Sequence, residues 1–255
     1  MTDRLSPTAQ VASGAMLAPD VAVGHFSVVA RGARIGAGCT IGHHVVIHED
    51  VEIGEGVRVD DHAVLGKRPM RAARSATTSG APDLAPLAIG ADSIIGTGAV
   101  LYRGCEIGKR VLVADYATVR ERVVVGAETI VGRGVAIEND STVGARCKLE
   151  TNAYITAFTT VEDDVFVAPG VLTSNDAFMG RTEERKERFG GPTVRQSARL
   201  GVGAVLLPGV EVAPEAVVGA GAVLTRGASG GRVHVGVPAR ETRDVAPEQL
   251  RENGG

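Results

Sequence analysis

The chain has 255 residues, 44% hydrophobic but only 3% aromatic, with no Trp and 34 Gly, which excludes a core of interlocking rings. Its 27 basic and 30 acidic side chains leave a formal net charge of −3, so there is no overall pull toward nucleic acid or an anionic membrane. Nothing approaches the roughly 18 consecutive apolar residues of a membrane-crossing helix. The three cysteines form no CxxC and Met1 to Gln10 is polar, so a reduced, cytoplasmic protein is expected.

From Leu5 an aliphatic residue returns at every sixth position, through Val11, Leu17, Val23, Val29, Ile35, Ile41, Ile47, Ile53 and Val59 to Leu65. The frame then breaks over 67–86, where Arg71, Thr77 and Asp83 stand at aliphatic positions. That predicts a loop leaving the repeat, either as a surface insertion or as a flap reaching a substrate at a subunit seam. The period resumes at Ile89 and holds to Val167. A second excursion over 178–192, FMGRTEERKERFGGP, has the charge density of a solvated face. A third run extends from Val194 to Leu224, and residues 241–255, which have lost the repeat, are expected to form a short helix or no fixed structure. All 31 steps land on Val, Ile or Leu, although these make up only 62 of 255 residues.

Four residues after each step stands a second small or β-branched residue, such as Ser27, Ala33, Val45, Ala99 or Thr159, and the next residue after each step is frequently Gly. Neither helical periodicity nor strand alternation produces two inward positions per six. A hexad is instead a short strand and a corner. Three hexads close an 18-residue triangular coil, and coils stack by parallel pairing into an all-β solenoid of about ten coils. A narrow bore has no room for rings, which accounts for their scarcity. Cys39, Cys105 and Cys147 all occupy the second inward slot and are read as small core residues.

Residues 18 apart then share a corner. One corner column reads Tyr102-Arg103-Gly104, Arg120-Glu121-Arg122, Glu138-Asn139-Asp140, Thr156-Ala157-Phe158 and Ser174-Asn175-Asp176, with its glycines replaced over several coils. Two explanations stand: Arg120 and Glu138 form an exposed ion pair of little energetic value, or a substrate lies across this edge, with arginines for phosphate and Glu or Asn for an amine or sugar hydroxyls. Repeated loss of glycine on a single edge favours the second.

The hexads, over residues about 5–240, resemble the hexapeptide-repeat acyltransferase superfamily. The resemblance implies a left-handed parallel β-helix over 1–240, followed by the 241–255 tail, assembled as a homotrimer with active sites between subunits. The hand comes from the resemblance alone, since parallel crossovers are generally right-handed. More narrowly, YRGCEIG (102–108), RGVAIENDSTVGARCKLETNAYITAFTTVEDDVFVAP (133–169), SNDAFMGRTEERKERF (174–189) and VVGAGAVLTRG…VGVPAR (217–240) resemble nucleotide-linked amino-sugar N-acetyltransferases that use acetyl-CoA. In the superfamily the C-terminal coils hold CoA, which implies Gly219, Ala220, Thr225, Pro238 and Arg240 here. On that resemblance Glu138, Asn139 and Asn175 orient the acceptor and act in catalysis. Tyr102, Arg103, Arg120, Arg122, Asn152, Tyr154 and Asp176 contact substrate, the arginines at a dTDP or UDP diphosphate, and no metal is required.

The YRG segment and the loop before it also resemble UDP-N-acetylglucosamine acyltransferases of lipid A synthesis. In TNAYITAF, however, the histidine those enzymes use as a base falls at Ala157, and no long helical C-terminal domain is expected. An alcohol nucleophile needs a base more than an amine does, because an amine with a pKa of about 8 is partly neutral near pH 7. The expectation is therefore direct attack of a sugar amine on the thioester, without a covalent intermediate. Competing expectations are an O-acyltransferase or small-amine acetyltransferase on the same fold, a non-enzymatic scaffold, and a zinc enzyme resembling γ-class carbonic anhydrases, for which His25, His43, His44, His48 and His62 are the candidates.

Overall fold

A computed structural model describes residues 4–70, 83–187 and 189–251. The middle of the first excursion, including Arg71 and Thr77, lies outside them. Each hexad contributes a strand of mostly two residues, and strands three apart in order pair in parallel, so the chain winds through three sheets in turn. The registers are those of an 18-residue coil, for example Thr118↔Ala136, Val119↔Ile137 and Ile137↔Ile155. The fold is a left-handed parallel β-helix, all-β.

The frame aliphatics fill the bore, with Ile47, Leu65, Leu101, Ile137 and Leu149 among the fully buried side chains. Leu5, in the first described coil, is by contrast 46% exposed. Polar residues in the second inward slot are accommodated by bonding between coils. Thr129 Oγ1 donates to the Gly144 carbonyl at 2.8 Å and accepts the Cys147 N–H at 3.0 Å. A buried hydroxyl paired on both sides carries little of the usual desolvation cost.

The glycine after each aliphatic owes its place to a close approach between coils. A Cβ on Gly126 would stand 2.5 Å from the Ala145 nitrogen of the next coil. The left-handed backbone falls two residues later and is often held by polar residues, as at Arg146 (φ 57°) and Asn152 (φ 58°). Gly126→Ala is expected to lower stability by about 1–3 kcal/mol through this clash. Denaturant unfolding measures it, and an unchanged midpoint would show that the coils are not in contact there.

The sequence period suggests about ten coils, whereas the three sheets hold 11, 10 and 12 strands in a solenoid of about 12 turns. Backbone pairing outlasts the hexads. Arg232–Val235 continues the third sheet with Val217↔Val233, and Arg240–Asp244 then pairs antiparallel with it, closing the C-terminal end. The first four residues of the expected tail are thus strand, and Pro247–Gln249 is a single 3-10 turn.

Candidate functional site

The corner column that lost its glycines forms one ridge along the helix axis. At its centre Arg120 donates a two-pronged bond to Glu121, Nε to Oε2 at 2.9 Å and Nη2 to Oε1 at 3.1 Å, while its Nη1 reaches Glu138 Oε2 at 3.2 Å. Its guanidinium carbon lies 4.9 Å from the Tyr102 ring centroid, and Lys67 Nζ from the preceding coil lies 5.4 Å from the same ring. Burial lifts the Glu138 carboxyl above its ordinary range; Arg120 pulls it back and Glu121 pushes it further up. Tyr154, on the strand leading to the next turn of the ridge, has its hydroxyl pKa raised by burial and by the Glu138 charge. Tyr102, Arg120, Glu138 and Tyr154 are therefore neighbours.

Other expected residues are already engaged within the chain. Arg103 donates from Nε to the Leu84 carbonyl (3.0 Å), from Nη1 to the Glu49 carbonyl (2.9 Å) and from Nη2 to Asp50 (3.3 Å), bracing the end of the first excursion against the coils. Arg122 is forked on Asp140 at 2.6 and 2.8 Å, and this pairing holds the Asp140 carboxyl below its usual range. Asn139 is 0% exposed, with Nδ2 donating to Asp140 Oδ2 at 2.5 Å. Asp176 accepts the N–H groups of Phe178 (2.9 Å) and Gly180 (2.8 Å) and pairs with Arg185 (3.3 Å), anchoring the second excursion. Burial opposes its ionisation, but those bonds outweigh it and keep its pKa low.

Asn175 Nδ2 makes a long bond, 3.4 Å, to the Ala157 carbonyl, and its backbone N–H has no partner among the described residues. At three corners a carboxylate from the next coil accepts the equivalent N–H, Asp61 for His43, Asp115 for Thr97 and Asp163 for Ala145, whereas that of Ala157, one coil earlier on the ridge, likewise has no partner among the described residues. The Asn175 corner thus keeps a donor available. Asn152 is exposed and stands on a different edge, the one that carries Gly170, Gly203 and Gly221 in successive coils, beside Gly219 and Ala220. Thr225 lies on the ridge edge. Pro238 and Arg240 flank Ala239, whose N–H donates to the Val223 carbonyl at 2.8 Å, and Arg240 Nη1 bonds the Ala239 carbonyl at 2.9 Å.

Glu121 is the residue that the sequence reading passed over. It sits two residues after a frame aliphatic, a position that faces solvent on the other two edges at Lys109 and Arg133, yet it is 1% exposed. A buried carboxylate without a partner is costly, and Arg120 supplies that partner. The histidines form stacks: His44 and His62 have centroids 4.9 Å apart, and His43 Nδ1 accepts the His25 backbone N–H at 2.8 Å.

All three cysteines are buried, and burial raises each thiol pKa, that of Cys147 to about 11. Thiol reagents are expected to leave the folded protein unlabelled at pH 7 and to label all three once it is unfolded. Labelling of the native chain, followed by mass spectrometry, would contradict this.

Family models match three stretches. The six-repeat bacterial transferase hexapeptide model matches residues 32–67, and the hexapeptide repeat of succinyl-transferase matches 117–157 and 197–226. A search of curated sequences gives no match. Among solved structures, UDP-N-acetylglucosamine acyltransferase from Arabidopsis is 17% identical with a TM-score of 0.63, over 98% of this chain and 77% of that one. LpxA from Acinetobacter baumannii is 18% identical with a TM-score of 0.53, over 99% and 78%. A mutant of perosamine N-acetyltransferase from Caulobacter crescentus, in complex with CoA and GDP-perosamine, is 28% identical with a TM-score of 0.45, over 52% and 57%. With its six-residue frame wound into a three-sided helix and transferase hexapeptide-repeat models matching residues 32–67, 117–157 and 197–226, the chain is a member of the hexapeptide-repeat acyltransferase superfamily.

Proposed function

We propose that this protein is an acyltransferase that moves an acetyl group from acetyl-CoA to the amine of a nucleotide-linked amino sugar, by direct attack in a ternary complex. The observation that carries the reading is the half-buried Glu138 carboxylate, held at 3.2 Å by Arg120 and with its proton affinity raised by burial, on the one ridge that has exchanged glycine for polar residues. The amine nitrogen bonds to the thioester carbonyl carbon, the C–S bond breaks, and the amine proton passes to Glu138 or to the departing thiolate. The vacant Asn175 N–H is suited to hold the carbonyl oxygen as it gains charge.

Acetyl-CoA enters as co-substrate at the C-terminal coils. Arg240 there is exposed and bonds only a backbone carbonyl among the described residues, which leaves its guanidinium free for a phosphate. The chain acts as a homotrimer with sites at its seams. The sheet bordering the ridge presents an outward column of Val28, Val46, Val64, Val100, Thr118, Ala136, Tyr154 and Leu172, whereas the next sheet mixes Arg34, Glu52, Glu106 and Glu211 with Met16, Ala88 and Val124. The exposed Val28 and Leu172 fit burial against another subunit, with the middle of the column left open at the seam.

Thiol release from acetyl-CoA, measured across dTDP-, UDP- and GDP-linked amino sugars and their hydroxyl counterparts, tests the reading. Turnover is expected with an amine and not with the matching alcohol. Turnover confined to alcohols would replace N-acylation with O-acylation.

A further inference from the structure

A groove of about 600 Å³ opens beside the ridge on its N-terminal side, lined by Val46, His48, Glu49, Val64, Lys67, Arg68 and Val100. Its cations are placed by a bulge. Leu65 pairs with Leu101, but Lys67 and not Gly66 pairs with Tyr102. Gly66 is buried at φ +83°, and a Cβ there would stand 2.5 Å from Val51 Cγ2. The extra residue turns Lys67 toward Tyr102 and sends Arg68 out over the groove. Neither Lys67 nor Arg68 pairs with a carboxylate among the described residues, in contrast to Arg103 on Asp50 and Arg122 on Asp140. Glu49 is the opposing charge in the lining, exposed, with its backbone carbonyl taken by Arg103.

We infer that this groove is the phosphate subsite of the acceptor, with Lys67 and Arg68 holding the diphosphate of a nucleoside diphosphate sugar over the Val46, Val64 and Val100 floor. The inference rests on the amino-sugar acceptor proposed above. It moves the diphosphate contact away from Arg103, whose nitrogens bond Asp50 and backbone carbonyls, and from Arg122, which is forked on Asp140. From Lys67 the ridge rises through Tyr102 and Arg120 to Glu138, three strand spacings or roughly 14 Å. The Lys67 and Glu138 side chains both reach into that backbone span, Lys67 Nζ lying 5.4 Å from the Tyr102 ring centroid, so one diphosphate-linked hexose can meet Lys67 with its phosphates and Glu138 with its amine. Lys67 and Arg68 contribute point charge and a planar fork respectively, a combination suited to adjacent phosphates.

Calorimetric binding of UDP, dTDP, GDP and, separately, CoA tests it on the full chain. In K67Q/R68Q the Kd of the nucleoside diphosphate bound by the wild type is expected to rise about tenfold or more, with loss of salt dependence, while the CoA Kd is unchanged. K67R should retain binding, which separates loss of charge from disturbed folding, and the thermal midpoint checks the fold directly. Unchanged diphosphate affinity in K67Q/R68Q, weakening of CoA alone, or a wild type that binds none of the three diphosphates would each overturn the inference. Acetyl transfer to an amino sugar with K67Q/R68Q indifferent would leave the proposed function standing and remove only this subsite. Diphosphate binding that depends on Lys67 and Arg68, with no thiol release from any amine, would do the reverse.

Discussion

Glu138→Gln is expected to reduce kcat about a hundredfold or more, the usual scale for a positioned proton acceptor. The amide keeps the size of the side chain and its acceptor oxygen toward Arg120, so folding should be little affected. The pH profile is the sharper readout. Glu138 must be ionised to accept a proton, so the rate climbs as pH rises through its pKa. Because burial raises that pKa in the folded protein, the acidic limb should lie above the range of an exposed glutamate. In Glu138→Gln that limb disappears, leaving only the rise due to the acceptor amine. Asn175→Ala should lose less, about tenfold, since the proposed oxyanion donor is its backbone N–H and the side chain only helps to fix the corner through its 3.4 Å contact with Ala157. Unchanged rates in both variants would remove the ridge as the site of chemistry.

Arg120→Ala is expected to destabilise the fold by about 3–5 kcal/mol, the scale for stranding a buried charge. Glu121 is closed off from solvent, and both of its oxygens accept from Arg120. Removing the guanidinium leaves that carboxylate without a charge partner inside the corner and also withdraws the cation from Tyr102 and Glu138. Replacing both partners, Arg120→Met with Glu121→Leu, should recover much of the loss, because no charge then remains to be desolvated. Denaturant unfolding of the two variants checks this. A single variant within 1 kcal/mol of wild type would mean that Glu121 has another partner or reaches water. The pair therefore has a structural role as well as orienting Arg120 toward Glu138.

The coil was legible in the primary structure because its cause is local. One aliphatic at each frame step and one small residue four further on are all that a narrow bore requires, and from Val23 onward the described frame positions are buried as expected. The same arithmetic lost count at the C-terminal end. From 225 onward the pairing of Val217 with Val233 needs backbone groups alone, and backbone groups leave no period in the side chains. The ridge was legible as a column, since a spacing of 18 suffices to stack Tyr102, Arg120 and Glu138. Glu121 and Lys67 were not, one because its corner turns an outward position inward, the other because the bulge at Gly66 shifts the register by one within an otherwise uniform ladder.

By its sequence alone, then, this protein determined its three-sided coil, its dry core and the edge on which polar residues replace glycine, all consequences of a short repeat meeting a bore of fixed width. Only the tertiary structure decided which cations are spent and which are free: Arg103 and Arg122 face carboxylates, while Lys67 and Arg68 face an open groove. Partners in an ion pair are chosen by side-chain reach across coils and around excursions, over distances of a few ångströms that spacing along the chain does not encode.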